Sequence, residues 1–414
     1  MPTSSAPPPQ AQRPAAVVSL SAAGHFFNDG YANIYPTLVP IVAQAMGFGL
    51  VSGALVITAV RMASSLLQPV FGALADQRPN PYFGPIALGV IGVATALLGF
   101  VHPAVAFVAL ALVAGAANGA YHPPSLALVR AVAGSQPGRF TSVFLVGGTA
   151  GRAVGPLLMV AAAALFGIRG VTWLALPGIA LAIVLFALAP RNAVHAQSRK
   201  RTNADAMDAA STWAIVRGRL GPFSLILLMA VARSTVTSAV TTFWPLLHGH
   251  AVGALFSSAG VIAVMMLAGS LGNIVGGSVS DRVAPHRLIA VAAVGGGLSM
   301  AAFALAGGFW IYPFAALAGL FAMSTNAVTA VLGQDLIPER VATASGLALG
   351  FANALTAGVT ALLAVAAAAF GGQTALLLGA GVALLGVPAA LVYPLVQRRH
   401  QARTSGPARL AQQA

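Results

Sequence analysis

Twelve apolar runs of about 20–30 residues each, joined by short polar connections, limit this chain more than any other feature. The runs cover 17–46, 51–75, 83–101, 104–130, 138–167, 170–189, 220–247, 253–280, 286–306, 309–334, 340–369 and 373–396. They show no strict alternation, so an outer-membrane barrel is excluded. Each is long enough to cross a bilayer as a helix, and several exceed the roughly 20 residues needed, which implies tilt. With 58% hydrophobic and 7% charged residues, the chain is expected to be an all-α, multi-pass membrane protein.

The net charge of +14 does not point to nucleic acid, because of where the charges lie. Of 21 Lys and Arg residues, Arg61, Arg152 and Arg233 fall inside runs, and only Arg169 lies on the side opposite the N-terminus. The remaining 17 share the N-terminal side, which places both termini in the cytoplasm of a cell with an inner membrane. The first run is too long for a signal-peptide core and is expected to stay in the mature protein. Residues 1–16 read as a disordered cytoplasmic lead and 397–414 as a basic cytoplasmic tail. The longest connection, 190–219, separates a six-run bundle at 17–189 from another at 220–396. Its Arg199-Lys200-Arg201 reads as a topology anchor attracted to anionic lipid.

The two halves repeat. Gly72…Asp76 after the second run is answered by Gly277…Asp281-Arg282 after the eighth, 205 positions on. Pro137-Gly138-Arg139 before the fifth is answered by Pro338-Glu339-Arg340 before the eleventh, with Arg139 and Arg340 201 positions apart. Duplicated membrane bundles that rock about a midplane site are the architecture of secondary transporters.

The charges at bilayer depth carry the functional reading. His25, Asn28 and Asp29 share one helical face of the first run. Asp29, Arg61, Arg152 and Arg233 all lie near mid-span, so one carboxylate stands against three guanidiniums. Left to lipid, each arginine would cost about 3 kcal/mol, so all must line the interior. Arginine cannot shed its proton, and the surplus calls for an anionic small-molecule cargo held by Arg61, Arg152 and Arg233. The other possibility for Arg61 and Arg152 is pairing with Asp29 and backbone carbonyls to lock the first half. Asn28, Tyr31, Asn118 and Thr237 are further candidates for cargo contact. For proton coupling the candidates are Asp29, His25 and His122, and Asp29 has a purely structural ion pair as its alternative. His122-Pro123-Pro124 is expected to end the regular part of the fourth run.

Absences exclude other classes. There is no cysteine, hence no disulfide or thiolate chemistry. Lys200 is the only lysine and stands outside any P-loop pattern, so this chain alone does not pump with ATP. No His/Asp/Glu spacing suggests a metal site, and no catalytic constellation suggests an enzyme. No cofactor is expected, the energy source being the proton gradient. A monomer in the lipid bilayer is the expected assembly.

With its Gly72…Asp76 and Gly277…Asp281-Arg282 signatures, the chain resembles the major facilitator superfamily across all twelve runs. The fifth run holds Gly151-x-x-x-Gly155-Pro156, similar to half of the antiporter signature. Within that superfamily it looks most like the fosmidomycin-resistance drug exporters. The matching stretches are His25-x-x-Asn28-Asp29, Ala63 to Val70, His122-Pro123, Val146-Gly147-Gly148, Gly155 to Leu158 and Ser345-Gly346-Leu347. The resemblance implies a twelve-helix fold of two six-helix bundles and a proton-driven exporter. It also implies a cytoplasmic gate at Gly72, Asp76, Gly277, Asp281 and Arg282. There the carboxylates would cap a helix start or pair with Arg139 and Arg340. The same fold running inward, as a proton symporter for an organic anion, and a transport-inactive sensor or scaffold are the alternatives.

Overall fold

A computed structural model describes residues 14–35, 38–39, 42, 46–47, 50–78, 80–101, 103–189, 209–248 and 252–413. Among these, every regular element is helical. Each apolar run contains a helix: α1 Pro14–Ala32, α2 Leu50–Gln77, α3 Phe83–Leu98, α4 Ala104–Val132, α5 Pro137–Phe166 and α6 Gly170–Leu188 in the first half. The second half has α7 Leu220–His248, α8 Val252–Ser280, α9 Pro285–Leu305, α10 Ile311–Ser324 continued by Asn326–Leu336, α11 from Val341 to Phe370, and α12 from Gly372 to Gln413. By length and composition, nine helices among the described residues are able to cross a membrane.

Several boundaries differ from the sequence reading. α1 stops at Ala32 rather than near 46, because the Asn33 side-chain amide donates to the Asp29 carbonyl (2.8 Å) and closes the turn. Pro36 and Pro40 lie outside the described residues, as do residues 1–13 and 190–208. Part of the expected connection is a helix, Ala209–Gly218, and α12 runs through the expected tail, whose Gln, Ala and Arg residues are good helix formers. α4 does not end at His122; it continues through Pro123 and Pro124 to Val132, as membrane helices tolerate.

Small residues set how closely the helices approach. Gly147, Gly151 and Gly155 on α5, spaced one turn apart, face the backbones of Ala22, Phe26 and Gly30 on α1. A Cβ at any of the three would strike a main-chain oxygen, so α1 lies in a groove that only glycine leaves open. Gly115 and Gly119 of α4 meet α2 in the same way, and Gly272 and Gly276 of α8 meet α10. The halves touch through α2 with α11 and α5 with α8. Gly72 sits against Ala342 and Thr343, Gly277 against Gly138 and Ser142, and Gly346 and Gly350 against Gln68. The last two lie in a π-helical turn of α11 (Gly346–Phe351), a widened turn often found at functional sites. These contacts close the molecule at its Asp76 and Asp281 end.

Candidate functional site

Asp29 is the hub of a buried polar cluster on α1, α4 and α5. Its Oδ1 lies 3.1 Å from His122 Nε2 and accepts from the amides of Asn28 and Asn118, both at 3.3 Å. Its Oδ2 lies 3.3 Å from His25 Nε2 and 3.2 Å from Arg152 Nε. The His25 ring occupies the space that a Cβ at Gly148 would fill, and it stacks on Phe144 at 4.2 Å. Ser64 of α2 donates to Asn118 Oδ1 and so joins α2 to the cluster.

Hydrogen-bond roles fix the histidine tautomers. His25 Nδ1 is 2.8 Å from the Phe144 carbonyl, and His122 Nδ1 is 2.8 Å from the Asn118 carbonyl. A carbonyl only accepts, so both Nδ1 atoms carry hydrogen. In neutral rings the Nε2 atoms then present lone pairs, and these face each other at 3.1 Å beside the carboxylate. Three acceptors converging in a buried space leave room for one added proton, shared as Nε2–H between the rings and Asp29.

The sequence spacing suggested no metal cluster, yet ligand atoms of His25, Asp29 and His122 lie within 4.8 Å of one another. His122 is 97 positions from His25 in the chain, so spacing alone cannot show the cluster. Their donor set suits a borderline metal, and both rings have the backbone bond that orients metal-bound histidine. The Arg152 guanidinium on Asp29 argues for the smaller charge of a proton, since a divalent ion would face a fixed cation at the same carboxylate.

The arginines part company. Arg152 is 38% exposed and pairs with Asp29. Arg233 on α7 is half-buried and lies near enough to Arg152 for their like charges to interact across the two halves. Its Nε has no hydrogen-bond partner, and the void beside it holds about 10 Å³, room for one water. Arg61 is exposed and lies on the stripe of α2 that, two and three turns further, carries Gln68 and Gly72 against α11. Among the described residues, neither Arg61 nor Arg233 has a carboxylate within 4.0 Å.

Four of the expected cargo candidates make hydrogen bonds within the protein. The Tyr31 hydroxyl donates to the Ala175 carbonyl and accepts from Gly178 N, both at 2.9 Å, which pins α1 to α6. Asn28 is fully buried and orients Asp29. Asn118 is likewise committed to Asp29 and Ser64. The Thr237 hydroxyl is turned back to the Ser234 carbonyl at 3.1 Å. Sequence reasoning gave no site role to Ser64, Tyr121 or Gly148, whose roles depend on neighbours far along the chain.

The two repeated signatures bond to backbone rather than to arginine. Asp76 accepts from Ala342 N (3.1 Å), Thr343 N (2.7 Å) and the Thr343 hydroxyl (2.7 Å), capping the start of α11. Asp281 accepts from Gly138 N (2.9 Å) and Arg139 N (3.1 Å) at the start of α5. Each carboxylate therefore caps a helix of the opposite half, and Gly72 or Gly277, one turn earlier, permits the approach. The Arg139 side chain turns to Gln136, and buried Arg340 has no hydrogen-bond partner at its Nε. Arg282 is exposed. An Arg130–Asp335 bridge joins the halves at the same end. Replacing Asp76 and Asp281 together by alanine removes two caps worth about 0.5–2 kcal/mol each. The double variant is expected to open this end roughly tenfold or more. Spin-label distances across α4 and α10 would report it, and an unchanged distance distribution would refute the assignment.

Two bundles joined by reciprocal caps suit one family, and its sequence profile, the Major Facilitator Superfamily, matches residues 20–361. The chain belongs to this superfamily. It is 27% identical over 356 residues to the uncharacterized MFS-type transporter YfnC of Bacillus subtilis, covering 83% of this chain and 85% of YfnC. To the fosmidomycin resistance protein of Escherichia coli it is 26% identical over 357 residues, 84% of this chain and 85% of that one. In fold it matches crystal structures of the E. coli fucose:proton symporter FucP. One has TM-score 0.68 at 14% identity, covering 91% of this chain and 98% of that chain. The other, in the outward conformation, has TM-score 0.70 at 15% identity, covering 92% and 99%. This superfamily member is thus an all-helical, multi-pass secondary transporter of small molecules, not an enzyme.

Proposed function

We propose that the chain is a proton-coupled exporter of the inner membrane, acting as a monomer with both termini in the cytoplasm. Its cargo is a small organic acid, or an amphipathic drug with an acidic group. The observation that carries this reading is the charge count at mid-depth. Arg152 has the one carboxylate of the cluster, while Arg61 and Arg233 have no carboxylate in reach among the described residues. A bidentate phosphonate or carboxylate is the natural partner for such guanidiniums. Export is supported by the similarity to a fosmidomycin resistance protein. Closure at the Asp76 end, the cytoplasmic end by the charge distribution, corresponds in this reading to a state open outward.

One observation favours inward proton symport instead. An anion that draws Arg152 away leaves Asp29 with the histidines, and the cluster then gains a proton. Anion and proton would thus bind together. Growth separates the two readings: expression in a fosmidomycin-sensitive bacterium raises the inhibitory concentration if the protein exports the drug and lowers it if it imports. No change in either direction would remove fosmidomycin-like acids from the cargo class.

A further inference from the structure

A cavity of about 570 Å³ lies inside the first bundle at the Asp76 end, and Arg61, Arg152 and Arg233 are not among its lining residues. α1, α3, α4 and α6 form most of its wall, and Asp76 and Ala342 border it where the two halves meet. On α1 its wall reaches Ser21, one turn before His25; on α4 it reaches Ser125, one turn from Tyr121 and His122. Tyr121 stands at its inner end, with ring centroids 6.2 Å from His25 and 6.1 Å from His122. The Tyr121 hydroxyl donates to the Ser21 carbonyl at 2.9 Å and ties α4 to α1 across the gap. Gly24 makes this position possible, since a Cβ there would strike that hydroxyl.

We propose that this cavity is the water route by which protons pass between the His25–His122–Asp29 cluster and the Asp76 side, with Tyr121 as the partition. The proposal rests on the proton-coupled reading above and gives the proton an exit apart from the cargo gate. The charged and titratable groups facing the route are His25 and Asp29 on α1, Asp76 on α2, and Tyr121, His122 and Arg130 on α4. On the far side of the cluster, α5 contributes Arg152. Arg130 is held by Asp335, and Asp76 by the α11 cap, so neither blocks the passage to Tyr121. A proton arriving at the cluster is held on a histidine Nε2 until the Tyr121–Ser21 bond opens, and it then leaves through the cavity water.

The partition is tested without any cargo. Proteoliposomes loaded with a pH-sensitive dye and clamped in membrane potential should hold an imposed pH gradient with the wild-type protein. Tyr121→Phe, which keeps the ring and loses the latch, should leak protons about tenfold faster, the population shift expected for one lost buried hydrogen bond. Adding Leu128→Trp to fill the cavity, or His25→Asn to break the relay, should return the leak to the wild-type rate. A leak untouched by Leu128→Trp, or no leak from Tyr121→Phe and Tyr121→Ala, overturns the proposal. Because the chain has no cysteine, Ser125→Cys adds a check that does not depend on the Tyr121 variants folding. A membrane-impermeant thiol reagent should reach it from the Asp76 side, and protection from that side overturns the route. If cargo flux of the wild type ignores the pH gradient, the coupling reading fails while these arms still report the route. If flux follows the gradient but the arms fail, only the route is lost.

Discussion

Asp29→Asn is expected to abolish pH-gradient-driven transport while leaving a folded protein. The carboxylate meets two histidine nitrogens and Arg152 at 3.1–3.3 Å, and asparagine keeps the shape but not the charge. An imidazolium between His25 and His122 would lose its counter-charge, and Arg152 would join Arg61 and Arg233 without a carboxylate. Breaking a buried pair by removing one partner costs roughly 3–5 kcal/mol, enough to depress uphill flux by about a hundredfold or more. Flux from proteoliposomes with and without an imposed gradient, at matched reconstitution, measures this. If the variant still responds to the gradient, the two histidines carry the proton without Asp29.

The second large effect is expected at Arg233. Its Nε has no hydrogen-bond partner, and Arg152 approaches it with like charge, so an acidic ligand would relieve both. Charge-assisted hydrogen bonds in such a setting contribute about 1.5–3 kcal/mol, so Arg233→Ala should weaken binding of an acidic ligand roughly ten- to a hundredfold. Arg233→Lys should recover only part, because an ammonium lacks the bidentate fork. Equilibrium binding to the purified variants would show it. Unchanged affinity in Arg233→Ala would transfer the anion to Arg61 and Arg152.

What the sequence made visible follows from the range of each interaction. Helical periodicity put His25 and Asp29 on one face, and they do meet at 3.3 Å. The same periodicity, applied further, argues against Tyr31, which lies two positions past Asp29 and so about 200° around the helix. The Gly72…Asp76 and Gly277…Asp281 signatures, through the family resemblance, pointed to a gate and left two chemistries open, a helix cap or an arginine pair. Whether a carboxylate meets an arginine or a helix start depends on the register between the halves, which no local pattern encodes. The pairing of His25 with His122 was hidden for the same reason, since it needs α1 and α4 packed through neighbours such as Gly148. The apolar lengths of the twelve runs, by contrast, required nothing beyond the chain itself, and the helices follow them.

A surplus of fixed positive charge at mid-depth is expected to select an acidic cargo. Fosmidomycin, a phosphonic acid, and its neutral diethyl ester share one skeleton and differ in that charge. Their binding to the purified wild-type protein at pH 7 is the most direct measurement. The acid is expected to bind at least about tenfold more tightly than the ester, with the difference shrinking in Arg233→Ala. Equal binding of acid and ester, or tighter binding of the ester, would contradict the account.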